Sequence, residues 1–324
     1  MKPSPLVIDL FCGAGGFSRG FKEAGYKIIL GIDNDKNPAR TYKQNFPEAY
    51  VLVEDIKNIT AQLIKDITGY EQPDLVIGGP PCEPFTPTNP RRRPNSLDRL
   101  YLDPIGQLVL HFIRLVGELK PRIFIMENVP TILDGPLKNA LRREFARVGY
   151  KKIYFNLLRA EDYGTPSHRL RVFISNIEIK PKRKVRKHVT VWEALKDLPP
   201  PGTREKPNHE LPPISDRKLK KITRLKWGSA MILYNGARGK RYPNLIRLHP
   251  HKLAPTVMGS SRFIHPYENR FLTVREQARL MGFPDNHVFL GGRDEQYNQV
   301  GEAVPVPLAK AIAEHVLNTL REQT

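Results

Sequence analysis

The chain has 324 residues, enough for one large α/β domain or for a domain of roughly 200 residues with a smaller companion. No apolar run approaches the roughly 20 residues that a membrane span needs. Two cysteines cannot build a disulfide framework, and 52 Lys+Arg against 33 Asp+Glu leave a net charge of +19, which points to a polyanion such as nucleic acid ahead of a membrane surface.

In chain order, LVIDLF (6–11) is a short apolar run that breaks into CGAGG, and FSRGFKEAG follows with Phe17 and Phe21 on one helical face and Gly25 as its end. This predicts strand, glycine turn, helix. KIILGID (27–33), the helix-like NPARTYKQNF, YVLVEDI, a polar helix-like stretch and DLVIGG (74–79) continue the alternation. QLVLHFIRLVGEL (107–119) predicts an apolar helix and RIFIMENV (122–129) a buried strand, and LKNALRREFARVGY with KKIYFNLL repeats the unit. Such alternation predicts a doubly wound, mostly parallel sheet covered by helices on both faces.

After RVFISNIEI (171–179) the composition shifts. Residues 178–252 hold 20 Lys+Arg and 6 Asp+Glu, so an excess of 14 positive charges sits in less than a quarter of the chain. A PPPG turn (199–202), both tryptophans (Trp192 and Trp227) and little periodicity predict a small irregular domain or a partly disordered segment. LTVREQARLMGF (272–283) and VPVPLAKAIAEHVLNTL (304–320) return to helical spacing, the last packing back on the first domain. The expected division is 1–177, 178–255 and 256–324.

In a doubly wound sheet, ligands collect at the carboxyl ends of the strands, where Gly13, Gly15 and Gly16 allow close backbone approach and Asp33 is placed for ribose hydroxyls. Ser18 stands where the dinucleotide fingerprint requires glycine, which favours a different nucleoside cofactor over nicotinamide; a tight turn without ligand is the plain alternative. GGPPCEPFT (78–86) presents Cys82 on a rigid loop at the same edge, as a nucleophile or as a buried structural thiol. Glu127 ends its strand there, able to donate to a ring nitrogen or simply solvated. In YGTPSHRLRVFI (163–174), Arg169 and Arg171 share one face of a strand-like alternation, to hold phosphate or a base carbonyl if they are not merely solvated.

Taken together and in order, these motifs resemble the C5-cytosine methyltransferase family along nearly the whole chain. DLFCGAGGFSRGF is similar to its first motif, GGPPCEPFT to its Pro-Cys motif, MENV to its Glu-Asn-Val motif and SHRLR to its Gln-x-Arg-x-Arg motif with the first residue changed. LTVREQARLMGFPD and GEAVPVPLAKAI resemble the two closing motifs, and the basic segment falls where the family carries its variable target-recognition domain.

The resemblance implies a class I methyltransferase fold of Rossmann-like type and S-adenosyl-L-methionine as cofactor, leaving as S-adenosyl-L-homocysteine. It implies a cofactor site of Phe11, Gly13, Ala14, Gly15, Asp33, Asp55, Ile56, Pro80, Leu108, Glu302 and Ala303, with Asp33 on the ribose and Asp55 near the adenine amine. It implies that Cys82 adds to C6 of a flipped cytosine, that Glu127 holds or protonates N3 and that Arg171 binds O2, with Arg169 in the same catalytic set and Asn128 supporting the loop. No metal is expected. The departures are Glu83 and Ser167, each where the family usually has Gln, and Glu302, where it has Asn.

The expectation is thus a DNA (cytosine-5)-methyltransferase of a restriction-modification system, acting on double-stranded DNA as a monomer in a reducing, cytoplasmic setting of prokaryotic type. No signal-peptide pattern opens the chain. Two alternatives stand beside it: a tRNA cytosine methyltransferase, because that branch also carries PFT after its catalytic cysteine, and a nucleic-acid-binding relative that has lost turnover, for which Glu83 and Glu302 are the supporting features.

Overall fold

A computed structural model of the chain describes residues 3–203 and 206–322. The outer ends of the expected 1–177 and 256–324 stretches, and residues 204–205 of the basic one, lie outside the described residues.

The apolar runs form a seven-stranded sheet. Its strands are β1 (Leu6–Leu10), β2 (Lys27–Asp33), β3 (Tyr50–Val53), β4 (Leu75–Gly78), β5 (Ile123–Asn128), β6 (Tyr154–Arg159) and β7 (Leu170–Ser175), in the order β3-β2-β1-β4-β5-β7-β6. β1 to β5 pair in parallel, whereas β7 lies antiparallel between β5 and β6. The chain winds outward from β1 to β3 and restarts at β4 beside β1, so the turns after β1 and β4 part and leave a crevice at the carboxyl ends of the strands.

Alternation along each strand feeds two cores. In β5, Phe124 and Met126 enter the cluster shared with helices Ala61–Thr68, Leu108–Leu119 and Leu137–Arg147, while Ile123 and Ile125 face the cluster shared with Gly16–Glu23 and Val306–Glu322. Every residue of β5 is buried, as expected where both faces are covered. Local chemistry sets the helix limits: Asp35 and Thr60 accept from backbone N–H groups at the starts of Lys36–Asn45 and Ala61–Thr68, and left-handed Gly69 ends the latter. Helix Val306–Glu322 lies so close against Gly16–Glu23 that a Cβ on Gly20 would collide with Ala309.

The basic stretch is more ordered than its sequence suggested. It contains an antiparallel hairpin, β8 (Ala230–Asn235) with β9 (Arg241–Ile246), and a helix at Asp216–Ile222. A further hydrophobic cluster joins Val191, Leu195, Ile246 and Leu248 to Val257, Phe263, Met281 and Tyr297, so the 255/256 boundary runs through one packed core. Among the described residues no helix is long and apolar enough to cross a membrane.

Candidate active site

The antiparallel insertion of β7 decides which side chains meet. A strand running against β5 begins where β5 ends, so Arg169 and Arg171, at the start of β7, arrive at the edge where Glu127 leaves β5. The register places Glu127 opposite Phe173, and the two-residue period puts Arg171 on the same face. Arg171 Nε lies 2.9 Å from Glu127 Oε1, with both side chains nearly buried.

Cys82 reaches this edge from the loop after β4. Its carbonyl accepts from the N–H groups of Phe85 and Thr86 at 2.9 and 3.0 Å, which coils the loop into a turn. The half-buried thiol is pushed up to about 11, chiefly by burial; Arg171 and Arg169 pull it down while Glu127 and Glu83 push it up. Arg169 is buried, donates through Nη1 to the Val257 carbonyl at 2.7 Å, keeps its Nε without a partner, and is lowered to about 9 by burial. Cys82, Glu127, Arg169 and Arg171 therefore form one electrostatic cluster.

Asn128 and Thr131 tie the loop down. Asn128 Nδ2 donates to the Pro80 carbonyl at 3.0 Å and Thr131 Oγ1 to the Phe85 carbonyl at 2.7 Å. The loop-supporting place given to Asn128 is seen directly, whereas Thr131 carried no sequence signal. Buried hydrogen bonds of this kind fix a loop because breaking one leaves a polar group unsatisfied, at about 1–3 kcal/mol.

Beside this cluster a pocket opens between the ends of β1, β2 and β4. Phe11, Asp33, Asp55, Ile56 and Leu108 line it, together with Pro81 and Glu54, which the sequence had not singled out. Phe11 has φ 65°, a left-handed conformation uncommon for a bulky residue and found chiefly where surrounding structure enforces it. Asp33 accepts from the Gly13 N–H at 2.8 Å and so braces the glycine turn. Burial raises its carboxyl above the ordinary range, partly countered by the backbone N–H groups of Asp35 and Gly13. Gly15 has φ 86°, and a Cβ there would press on Phe46 and Tyr42, so only glycine fits.

The other expected cofactor residues sit around that pocket and not in its lining. Pro80 is buried with its carbonyl on Asn128, and Ala14 is buried with its carbonyl accepting from His287 Nε2 at 2.9 Å. Ala303 follows helix Arg293–Glu302 and abuts Gly16. His287 was missed in the sequence: packed among Phe46, Phe283 and Phe289, its imidazole is lowered to about 3 by burial, so it stays neutral and pins the turn.

The unusual residues find physical explanations. Ser18 donates to Asp9 Oδ2 at 2.6 Å and lies 2.7 Å from the Tyr42 hydroxyl, a buried network that holds the turn where a glycine could not. Ser167 is buried and donates to the Leu280 carbonyl at 2.8 Å, linking β7's approach to the cluster that holds Met281 and Tyr297. Glu302 ends helix Arg293–Glu302, an unfavourable place for a negative charge. Partial desolvation first, then Glu83, Asp33 and Asp35, push its carboxyl up to about 7, although the side chain still reaches solvent.

The site also meets the basic stretch, because the Ala237 N–H on the β8–β9 turn donates to the Pro87 carbonyl at 2.9 Å, five residues beyond Cys82. Among the described residues no cluster of His, Cys, Asp and Glu is suited to a metal.

The chain is similar to known proteins over nearly its whole length. A protein of Methanocaldococcus jannaschii named as a type II methyltransferase is 51% identical over 318 residues, covering 97% of this chain and 99% of its own. The type II methyltransferase M.DdeI of Desulfomicrobium norvegicum is 34% identical, covering 96% of this chain and 88% of its own. The crystal structure of a DNA modification methyltransferase encoded in an E. coli prophage superposes with a TM-score of 0.80 at 27% identity, over 98% of this chain and all of the other. The family model for C-5 cytosine-specific DNA methylase matches residues 6–318, a span that takes in both the crevice and the basic stretch, and the chain belongs to that family.

Proposed function

We propose that the protein methylates C5 of cytosine in double-stranded DNA at a specific sequence, with S-adenosyl-L-methionine as donor and S-adenosyl-L-homocysteine as product, as the modification partner of a restriction system. The observation that carries this reading is the convergence of Cys82, Glu127, Arg169 and Arg171 on one sheet edge beside a crevice lined by Phe11, Asp33 and Asp55.

The residues of the crevice fit the cofactor. Asp33 offers carboxylate oxygen for vicinal hydroxyls and Asp55 an acceptor for an exocyclic amine, while Phe11, Ile56 and Leu108 provide apolar surface for a purine ring. Gly13 and Gly15 let the backbone come close, with Ala14, Pro80, Glu302 and Ala303 closing the surroundings. Acidic lining in a chain of net charge +19 suits a ligand that carries positive charge. When bound, the cofactor supplies an electrophilic methyl group on a sulfonium.

The protein's own groups do the rest. Cytosine C5 is a poor nucleophile; bond formation between Cys82 Sγ and C6 gives C5 enamine-like electron density, and loss of the C5 proton later expels the thiolate. The thiol proton is lost to solvent, and Arg171 and Arg169 stabilise the thiolate that remains. Glu127, once it has taken up a proton, donates to N3, and Arg171 donates to O2, so charge developing on the ring meets groups already in place. Their mutual ion pair keeps both oriented before the base arrives.

A stacked cytosine hides C6, so the base must leave the duplex at a cost of a few kcal/mol. Phosphate contacts from the basic stretch, 178–255, offset that cost and place the readout of the flanking bases. The test is transfer of labelled methyl from S-adenosyl-L-methionine to genomic DNA and, in parallel, to unmodified tRNA, followed by base-resolution mapping. Label at one recurring DNA sequence is the expected result; label confined to tRNA would move the protein to the RNA branch, and none in either would contradict catalysis.

A further inference from the structure

The aromatic residues of the basic stretch separate into two groups. Tyr234 and Tyr242 stack at 5.8 Å near the β8–β9 turn that touches Pro87. Trp227 lies at the opposite end, where the Gly228 N–H donates to the Arg247 carbonyl at 2.7 Å and closes the base of the hairpin. Six residues of strand at about 3.3 Å each put these ends about 20 Å apart.

At this far end the rings form a ladder. Tyr267 meets Trp192 at 5.0 Å and 90°, and Trp227 at 5.9 Å and 85°; His249 follows Trp227 at 5.1 Å and His251 follows His249 at 6.1 Å. Trp227 is 47% exposed and Tyr267 49%, yet the indole N–H is already spent on the Pro266 carbonyl at 2.7 Å. What Trp227 offers outward is ring surface.

The ladder borders an open recess lined by Lys226, Trp227, Arg247, His249 and Asn269. Arg247 is 6% exposed, and its guanidinium binds neutral acceptors, including the Ile222 carbonyl at 2.8 Å and Asn269 Oδ1 at 2.6 Å. Its Nε has no partner, and among the described residues no carboxylate pairs with it. A buried cation without a counter-ion is costly, and an anion entering the recess relieves that cost. Exposed Lys226 adds a second positive charge.

We propose that this recess binds the backbone of duplex DNA flanking the target, a phosphodiester against Lys226 and Arg247 and the adjoining sugar edge against Trp227 and Tyr267, about six base pairs from the methylated base at roughly 3.4 Å per pair. The inference rests on the DNA reading above. The β8–β9 hairpin leads from the loop beyond Cys82 to the recess, which is open rather than walled as a free nucleotide would require.

The chain's two tryptophans, Trp192 and Trp227, both belong to the ladder, so intrinsic fluorescence reports on it. The probes are duplexes carrying the mapped target with flanks of about 4 or about 12 base pairs, and a 12-nucleotide single strand of thymidylate, chosen around the reach argued from base-pair rise. Long flanks are expected to quench the fluorescence and to bind about tenfold tighter than short ones, and in Lys226→Gln and Trp227→Leu that advantage should fall below about twofold. Lys226 is exposed, so its variant stays interpretable should the Trp227 variant unfold.

Equal binding of both duplexes, an undiminished flank advantage in the Lys226 variant, or stronger quenching by the single strand than by duplex would overturn the proposal. If the wild-type protein transfers no methyl to DNA at all, the failure belongs to the parent reading; transfer without flank dependence sinks this inference alone.

Discussion

Glu127 Oε1 stands 2.9 Å from Arg171 Nε across the antiparallel pairing of β5 with β7. Without that reversal the two charges would sit at opposite ends of the sheet. Because a cation and a carboxylate are held together before any base is present, removing either leaves the other poorly compensated. Glu127→Gln and Arg171→Gln should each lower kcat at least 100-fold, the scale of losing one preorganised stabilising group, while DNA binding in a gel-shift assay changes little. A kcat within threefold of wild type in either variant would remove that residue from the chemistry.

The thiol of Cys82 offers a pH test. Burial raises it to about 11, so at neutral pH the free protein holds it protonated. Alkylation by iodoacetamide should therefore be slow at pH 7.5 and rise about tenfold per pH unit toward 11, since only the thiolate attacks. In Arg171→Gln the rate at a fixed pH should drop, because the largest influence lowering the thiol is gone. Cys12 is buried and its thiol is pushed up by burial, then by Asp33 and Asp9, so peptide mapping should find the label on the more accessible Cys82. Fast, pH-independent labelling would contradict the assigned environment.

Asp9 links the glycine turn to stability. Its buried carboxyl is raised to about 7 from 3.8, so the folded state holds a proton that the unfolded state releases. Such a group's contribution is fully present below the unfolded value and is lost as pH rises through the folded one. The stability of Asp9→Asn relative to wild type should accordingly improve between pH 4 and pH 7 and level off above. Denaturant unfolding at several pH values measures this, and a flat difference would show that Asp9 does not titrate there.

Much of the fold was legible because strands buried on both faces read as continuous apolar runs: KIILGID and RIFIMENV lie over β2 and β5. The site was legible for a related reason, since Gly13, Cys82 and Glu127 each follow or end such a run. The hairpin β8–β9 was not, because its residues are half exposed and alternate weakly. Nor was the reversal of β7, which depends on packing between β5 and β6 and leaves no local mark. Ser18 looked like a flaw in a phosphate turn until Asp9 and Tyr42 explained it, and His287 acts through a backbone carbonyl 273 residues away.

Glu302 bears on ligand charge. With a carboxyl near 7, it gains negative charge across the neutral range. Binding of S-adenosyl-L-methionine, which carries a sulfonium, should strengthen relative to neutral-sulfur S-adenosyl-L-homocysteine as pH rises from 6 to 8.5, and Glu302→Gln should flatten that ratio. Isothermal titration of both ligands decides it: a ratio with the same pH dependence in the variant would place Glu302 outside the cofactor's field.

The central claim is that Cys82 bonds to C6 of a cytosine in DNA. A duplex whose target cytosine carries fluorine at C5 tests it most directly, because fluorine cannot leave as the proton does and the adduct persists in the presence of S-adenosyl-L-methionine. The account predicts a denaturation-resistant complex whose cross-linked peptide contains Cys82 and which is absent in Cys82→Ala. Methyl transfer that survives in Cys82→Ala, or a cross-link mapped to Cys12, would contradict it.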